Sequence, residues 1–317
     1  MKKKRFWDST WWPWAKRIGG FLFFAVVVTL LVRYARNVDW QEVRNSLLAL
    51  PRGVLLVAFG FAAAAHVVYS MLELLGRHYV GHGLSKKKVM QVGLTCFAFN
   101  LNLGSLVGGV GLRYRLYSRL GLRAGQITRV LTLSMMTNWL GYILLAGLVF
   151  TIAPLELPPD WKLDSEALRL LGVALLAVCL SYLGLSAFSK KRSFEVKGHV
   201  LEVPTLRMAG AQLAISCSHW MLTAAVPWVL LQGQVSYPTV LAVLLVAAIA
   251  GVITHVPGGL GVIEAVFLAL LSHRIPEPQL LGALLAYRAL YYLVPLMVGA
   301  LLYLKVEVKA RKPAPAT

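Results

Sequence analysis

The feature that most constrains this chain is a glycine cluster that interrupts apolar sequence and then recurs. Gly108–Gly111 reads Gly-Gly-Val-Gly, and Gly258–Gly261 reads Gly-Gly-Leu-Gly at an offset of 150 residues. The apolar run at 18–32 falls on 168–182 at the same offset. Two membrane-embedded halves that each carry a glycine-broken apolar segment are typical of transporters, whose substrate site lies at the interface between the repeats.

The composition indicates a membrane protein. Hydrophobic residues make up 58% of the chain and charged residues 14%, whereas a soluble domain carries about 25% charged residues. We therefore interpret the net charge of +19 as basic residues in cytoplasmic loops and not as a nucleic-acid surface. Cys96, Cys179 and Cys217 lie in apolar sequence without metal-ligand or disulfide spacing, so we expect them to be small buried side chains.

The hydropathy predicts an all-α polytopic membrane protein with three full crossings and one re-entrant hairpin in each half. The predicted full crossings are 18–34, 54–75, 127–150, 167–188, 206–231 and 280–303. The predicted hairpin arms are 89–106 with 112–122, and 239–256 with 262–272. The arm after each glycine cluster has about 11 residues, or roughly 17 Å of helix, which is about half of the hydrocarbon thickness. A short amphipathic stretch at 40–50 is expected on the membrane surface.

The distribution of Lys and Arg predicts the orientation. Basic residues concentrate in both termini and in the loops at 76–88, 113–129 and 189–207. These segments share the cytoplasmic side only if the first hairpin enters from the cytoplasm and the second from outside. We therefore predict two inverted repeats with both termini cytoplasmic. The predicted organisation is a basic and aromatic N-terminus (1–17), membrane repeat 1 (18–150), an outer loop (151–166), membrane repeat 2 (167–304) and a cytoplasmic tail (305–317).

Three segments carry a family resemblance: Val107–Leu122, Ile253–Glu264 and Tyr287–Tyr292. Together they resemble the transmembrane region of the lysylphosphatidylglycerol synthase/flippase family. The resemblance implies a lipid translocase fold for aminoacylated or other anionic phospholipids, located in the inner membrane of a bacterium. Full-length family members carry a soluble aminoacyl-transfer domain after the membrane region. Because this chain ends at Thr317, we do not expect lipid aminoacylation.

Charged side chains within the spans are candidate site residues, because an unpaired charge at the centre of a membrane helix costs about 2.5–3.5 kcal/mol. Glu264 follows Gly261 by three residues, and Arg288 lies within the last span. We expect these two residues to pair, either as a head-group site in which Arg288 binds a lipid phosphate or as a structural ion pair. Arg113, two residues after Gly111, is the candidate cation of the first half.

Further candidates surround these charges. Asn138 occupies the repeat position of Arg288, and His255 adjoins the second glycine cluster. We include both in the predicted head-group site, although a packing role for the histidine stays open. Arg115 and Arg119 form a secondary basic ladder, which either anchors the helix at the cytoplasmic surface or collects anionic head groups.

The glycines predict the hairpin tips, because glycine permits a sharp reversal of the backbone. The predicted tip residues are Gly108, Gly109, Gly111, Pro257, Gly258, Gly259 and Gly261. The half-helices that begin at the tips direct their positive N-terminal ends to the membrane centre, which favours an anion there. Glu73, near the cytoplasmic end of its helix, is expected to pair with Arg77 one turn later.

These observations predict a lipid translocase that moves an anionic phospholipid, such as phosphatidylglycerol or cardiolipin, between the leaflets. A polyprenyl-phosphate carrier and a non-transporting scaffold for a lipid-synthesis enzyme stay open as alternatives. The sequence contains no GxxxxGKS/T loop, HExxH motif or Cys/His cluster, so we expect no enzymatic activity, cofactor or metal. The expected partners are anionic membrane lipids and not nucleic acid, and the glycine-rich faces permit a homo-oligomer.

Overall fold

A computed structural model describes residues 39–153, 155, 165–189, 193–196, 199–254 and 256–311. The predicted first crossing at 18–34 lies outside these residues. The helices of the described part are α1 (Trp40–Leu48), α2 (Arg52–Val80), α3 (Lys86–Leu103), α4 (Leu112–Arg119), α5 (Ala124–Ile152), α6 (Ser165–Phe188), α7 (Leu206–Leu230), α8 (Tyr237–Thr254), α9 (Val262–Leu271), α10 (Glu277–Tyr287) and α11 (Val294–Arg311). Three irregular helical segments join some of them, namely two π-helical segments at Ser105–Gly111 and Arg288–Leu293 and a 3-10 turn at Pro257–Gly259.

The chain is a multi-pass membrane protein. Within the described residues, six helical stretches are long and apolar enough to cross a bilayer: Arg52–Val80, Ala124–Ile152, Glu166–Phe188, Leu206–Leu230, Tyr237–Thr254 and Glu277–Lys305. Five of them coincide with predicted full crossings. Tyr237–Thr254 was predicted as one arm of a hairpin, and its 18 residues extend for about 27 Å, nearly the full hydrocarbon thickness.

The expected all-helical membrane region is confirmed, and the loop predicted at 189–207 contains an additional element. Strands β1 (Ser193–Val196) and β2 (His199–Glu202) pair antiparallel, with Ser193 opposite Glu202. This hairpin was not predicted from the sequence. It lies between α6 and α7 in the chain.

Small residues allow the central helices to approach one another closely. A β-carbon on Gly141 of α5 would lie 2.2 Å from the Ser216 hydroxyl oxygen on α7, and one on Gly93 of α3 would lie 3.1 Å from the Ser70 Cα on α2. Contacts of this kind are typical of helix packing in lipid, where close backbone approach replaces the hydrophobic driving force of water. They hold α2, α3, α5 and α7 as the centre of the bundle.

The element boundaries repeat at the offset that the sequence indicated. Helix α3 begins at residue 86 and α8 at 237, while α4 begins at 112 and α9 at 262. Each long helix therefore precedes an irregular segment and a short helix in both halves. The opposite orientation of the two halves in the membrane stays a prediction.

Candidate functional site

The first hairpin reverses at Gly104 and not within the glycine cluster that was predicted to be its tip. Gly104 has φ 82° and ψ 169°, a conformation available essentially only to glycine. Gly111 is right-handed helical, with φ −58° and ψ −45°. A β-carbon on Gly108 would lie 2.3 Å from the carbonyl carbon of Phe99. The cluster therefore lets the π-helical segment pack directly on the backbone of α3, whereas Gly104 makes the turn.

The second hairpin reverses at its predicted tip. Gly258, Gly259 and Gly261 have φ values of 67°, 54° and 76°, in the left-handed region that favours glycine. Pro257 begins the 3-10 turn, and α9 starts directly after Gly261. His255, predicted beside this tip, lies outside the described residues.

The two hairpins meet each other and the last helix. A β-carbon on Gly258 would lie 3.4 Å from the Leu101 carbonyl oxygen, so the second tip rests against the end of α3. Asn102 Nδ2 donates to the Tyr292 carbonyl oxygen at 3.2 Å and to the Ala98 carbonyl oxygen at 2.8 Å. We call this region the tip junction, and it consists of Leu101–Gly104, Pro257–Gly261 and Arg288–Leu293.

Arg288 is the charged centre of the tip junction. Its Nε donates to Glu264 Oε1, and its Nη2 donates to Glu264 Oε2 at 2.9 Å. Nη1 donates to the Gly258 carbonyl oxygen at 2.9 Å, and Nη2 also donates to the Gly259 carbonyl oxygen at 2.7 Å. The guanidinium also lies 5.2 Å from the centre of the Tyr292 ring. The predicted Glu264–Arg288 pair is therefore present, and the same arginine satisfies the carbonyl groups of the tip.

The position of Arg288 depends on a break in the last crossing that was not predicted. A π-helical segment runs from Arg288 to Leu293 and ends two residues before Pro295. Proline has no N–H for the carbonyl four residues earlier and its ring clashes there, so the helix widens upstream of it. The Tyr292 carbonyl lies within this segment and accepts a hydrogen bond from Asn102. Single π-helical turns of this kind occur frequently at functional sites.

A second ion pair lies in the first half. Arg113 Nε donates to Glu73 Oε1 at 2.8 Å, and Arg113 Nη1 donates to the Gly109 carbonyl oxygen at 2.9 Å. Tyr117 donates to Glu73 Oε2 at 2.8 Å, and Ser134 donates to Oε1 at 3.3 Å. The cation predicted for the first half thus holds the first hairpin to α2.

The predicted pairing of Glu73 with Arg77 is wrong. Arg77 Nε instead donates to the Leu84 carbonyl oxygen at 2.6 Å. Glu73 points into the bundle with a fully buried side chain, whereas an i, i+4 pair would hold it at the helix surface. The buried carboxylate requires a buried cation, and the hairpin supplies it in Arg113.

The two ion pairs differ in how far water or lipid can reach them. The side chains of Arg113 and Glu73 are 3% and 0% exposed, whereas those of Arg288 and Glu264 are 12% and 17% exposed. The more exposed pair, Arg288 and Glu264, is therefore the better candidate for exchange with a ligand. The two hairpins also contribute opposite charges, since the first supplies the arginine of its pair and the second supplies the glutamate.

A set of aromatic rings connects the regions of the two pairs. Tyr69, one turn before Glu73 on α2, stacks on Phe97 of α3 with ring centres 3.6 Å apart. Phe97 lies 6.5 Å from Tyr291, and Tyr291 lies 5.6 Å from Tyr292, whose ring faces Arg288. Aromatic side chains thus pack in series between the regions of the two pairs.

The remaining predicted site residues lie elsewhere in the bundle. The Asn138 side-chain oxygen is buried without a hydrogen-bond partner among the described residues, while its backbone carbonyl accepts from Ser216 and Trp220. Arg115 and Arg119 are exposed, and the Arg115 guanidinium lies 5.8 Å from the centre of the Tyr303 ring. The basic ladder therefore lies along the surface of α4, away from the buried pair.

Sequence reasoning did not identify Glu73, Asn102 or Tyr292 as site residues. The signal for Glu73 was available, because a carboxylate within a crossing requires a partner. Asn102 and Tyr292 meet across 190 residues, and no local pattern in either segment indicates that contact.

Comparison with known proteins identifies relatives along nearly the whole chain. Residues 17–299 match the profile of the family described as the lysylphosphatidylglycerol synthase transmembrane region. The chain is 48% identical to the inner membrane protein YbhN of Escherichia coli K12, with 95% of each chain covered. It is 30% identical to an uncharacterised protein of Synechocystis, with 87% of each chain covered.

A more distant relative is longer than this chain. The chain is 25% identical to a phosphatidylglycerol lysyltransferase of Staphylococcus aureus strain MRSA252. The similarity covers 89% of this chain and 32% of the lysyltransferase. Two thirds of that enzyme therefore have no counterpart in the matched region.

Proposed function

This chain belongs to the lysylphosphatidylglycerol synthase transmembrane-region family, and on that premise we propose that it moves an anionic phospholipid between the leaflets of a bacterial inner membrane. Phosphatidylglycerol and cardiolipin are the lipid classes that fit, because each presents a phosphodiester between apolar tails and a small polar group. The observation that carries the proposal is Arg288, a partly exposed guanidinium in the tip junction.

The depth of Arg288 supports this role. Arg288 follows Glu277, the first residue of α10, by eleven residues, which corresponds to about 17 Å of helix. Half of the hydrocarbon thickness is about 15 Å. An arginine at that depth, held at a helix break, provides a stopping point for a phosphate that must cross the apolar layer.

Apolar side chains flank the tip junction and face outward. Leu106 is 81% exposed beside the first hairpin turn, while Ile253 and Leu260 are 70% and 56% exposed beside the second. In lipid, such side chains contact acyl chains. They support a translocation route in which the tails stay in hydrocarbon while the head group passes along the junction.

The test is head-group translocation in proteoliposomes with fluorescent phosphatidylglycerol, fluorescent cardiolipin and a zwitterionic control lipid. We expect the wild-type protein to move the anionic lipids at least about tenfold faster than the zwitterionic lipid, and Arg288→Gln to remove that movement. Arg207→Gln is the matched control, because Arg207 is an exposed arginine at the start of α7. It should keep the wild-type rate.

Two results would contradict the proposal. One is a folded Arg288→Gln variant that moves anionic lipid at the wild-type rate. The other is a wild-type protein that moves no lipid under any imposed gradient. The second result would favour the scaffold role for a lipid-synthesis enzyme, in which the junction is structural.

A further inference from the structure

The hydrogen bonds of Arg288 leave little room for a phosphate unless a partner is displaced. A guanidinium has five N–H groups. Two of those of Arg288 engage the oxygens of Glu264, and two others engage the carbonyl groups of Gly258 and Gly259. The edge that carries Nε and Nη2, which is suited to two parallel bonds with an oxyanion, is occupied by Glu264.

A lipid phosphate must therefore compete with Glu264 for the same edge of Arg288. The Gly258 and Gly259 carbonyl groups belong to the backbone of the tip, whereas Glu264 is a side chain in the first turn of α9 and is 17% exposed. Glu264 is therefore the partner that a ligand can displace more readily. Among the described residues, Arg288 is the cation that pairs with Glu264. Displacing the Glu264 carboxylate from Arg288 would leave that carboxylate charged in a medium of low dielectric constant. Neutralisation by a proton is the ordinary response of a carboxyl group in such a position.

The helices around Glu264 hold few other groups that could compensate its charge. Arg288, Tyr287 and Tyr292 lie on the π-helical side, and Asn102 at the end of α3 is neutral. Along the described lengths of α3, α8, α9 and α10, the other residues with charged side chains are Lys86–Lys88 and Glu277, and these stand at helix ends. His255 adjoins the tip in the sequence and lies outside the described residues, so a His255→Gln variant is needed to measure its contribution.

We propose that Glu264 takes up a proton when a lipid phosphate displaces it from Arg288, and that it releases the proton when the lipid leaves. This inference rests on the proposed function. Before the exchange the site holds one guanidinium and one carboxylate; afterwards it holds one guanidinium, one phosphodiester anion and one neutral carboxylic acid. The net charge of the site is zero in both states. Each anionic lipid therefore crosses together with one proton, without net movement of charge.

The experiment uses the full chain in proteoliposomes that contain fluorescent phosphatidylglycerol and an internal pH-sensitive dye. A potassium gradient with valinomycin imposes a membrane potential, and a buffer step separately imposes a pH gradient. We expect wild-type translocation to respond to the pH gradient, to ignore the potential and to carry about one proton per lipid. Glu264→Gln should abolish the proton flux and make any remaining lipid movement sensitive to the potential.

Control variants separate the alternatives. Glu166→Gln changes an exposed carboxylate at the start of α6 and should keep the wild-type proton flux. Loss of the proton flux in His255→Gln, with retention in Glu264→Gln, would overturn the proposal. Wild-type movement that follows the potential without proton flux would also overturn it, and this result needs no variant to fold. Absence of any lipid movement would instead contradict the proposed function on which the inference rests.

Discussion

The buried pair between Glu73 and Arg113 gives the sharpest test of how the first hairpin is held. Glu73→Gln keeps the shape of the side chain but removes its charge, and it leaves the guanidinium of Arg113 without a counterion. Because the two side chains are 0% and 3% exposed, solvent cannot screen the remaining charge. Removing one partner of a buried pair costs about 3–5 kcal/mol.

The pair also predicts a strong departure from additivity. Arg113→Gln alone leaves the Glu73 carboxylate buried without its cation and should cost a similar 3–5 kcal/mol. The double variant has no buried charge and loses mainly hydrogen bonds, so its cost should be close to about 2 kcal/mol. Additive effects would instead sum to about 6–10 kcal/mol.

The assay is thermal unfolding of the purified protein in detergent, followed by loss of helical circular dichroism. At about 2 °C per kcal/mol, a value at the low end for large domains, each single variant should lower the midpoint by roughly 6–10 °C. The double variant should lower it by only about 4 °C, well short of the roughly 12–20 °C that additive effects would give. Glu166→Gln, on the exposed start of α6, should change the midpoint by less than about 1 °C. A double variant as unstable as the sum of the single variants would refute the reasoning.

Two further predictions concern the hairpin backbone and the loop before α3. Gly108→Ala should lower the free energy of unfolding by about 3 kcal/mol or more, because the new β-carbon would overlap the backbone of Phe99. Gly210→Ala is the control and should have little effect, because a β-carbon there meets no atom within 4 Å. Equal unfolding midpoints for the two variants would contradict the close packing at Gly108. Burial and the nearby charge of Arg77 lower the pKa of His82 below its ordinary value of 6.5. The folded state therefore binds a proton at His82 less tightly than the unfolded state does. As a result, the free energy of unfolding should fall as the pH decreases from about 7 to 5. His82→Phe should lose part of this pH dependence, and an unchanged dependence would exclude His82 as a source of it.

The sequence predicted most crossings because hydropathy acts over about 20 residues and does not depend on which helices pack together. The crossings α2, α5, α6 and α7 lie within a few residues of the predicted spans. The second tip was also predicted at the right glycines, since Gly258, Gly259 and Gly261 all adopt the positive φ values that a sharp turn requires. The first tip was assigned to the wrong glycines, since a cluster required for close approach looks the same in sequence as one required for a turn.

The ion pairs show the limit of this reasoning more directly. Glu264 and Arg288 were paired correctly because they are close in sequence and each needs a partner in the membrane. Glu73 and Arg113 were not paired, because Arg77 offered a local solution at i+4. The choice depends on the face of α2 that points inward. That face packs on α3, where Gly93 approaches Ser70 and Glu73, and contacts between separate helices cannot be read from the local sequence.

The use of a guanidinium at both hairpins restricts which amino acids these two positions can accept. Arg288 binds a carboxylate through one edge and two backbone carbonyl groups through Nη1 and Nη2, and Arg113 uses two different nitrogens for Glu73 and for the Gly109 carbonyl group. Lysine carries its three donors on a single nitrogen and cannot span such a set. In a saturation library selected for folded protein, position 207 should accept lysine freely, whereas positions 113 and 288 should reject even this replacement of equal charge. Arginine is thus the only residue type that we expect to hold the backbone carbonyl groups of either hairpin at these two positions.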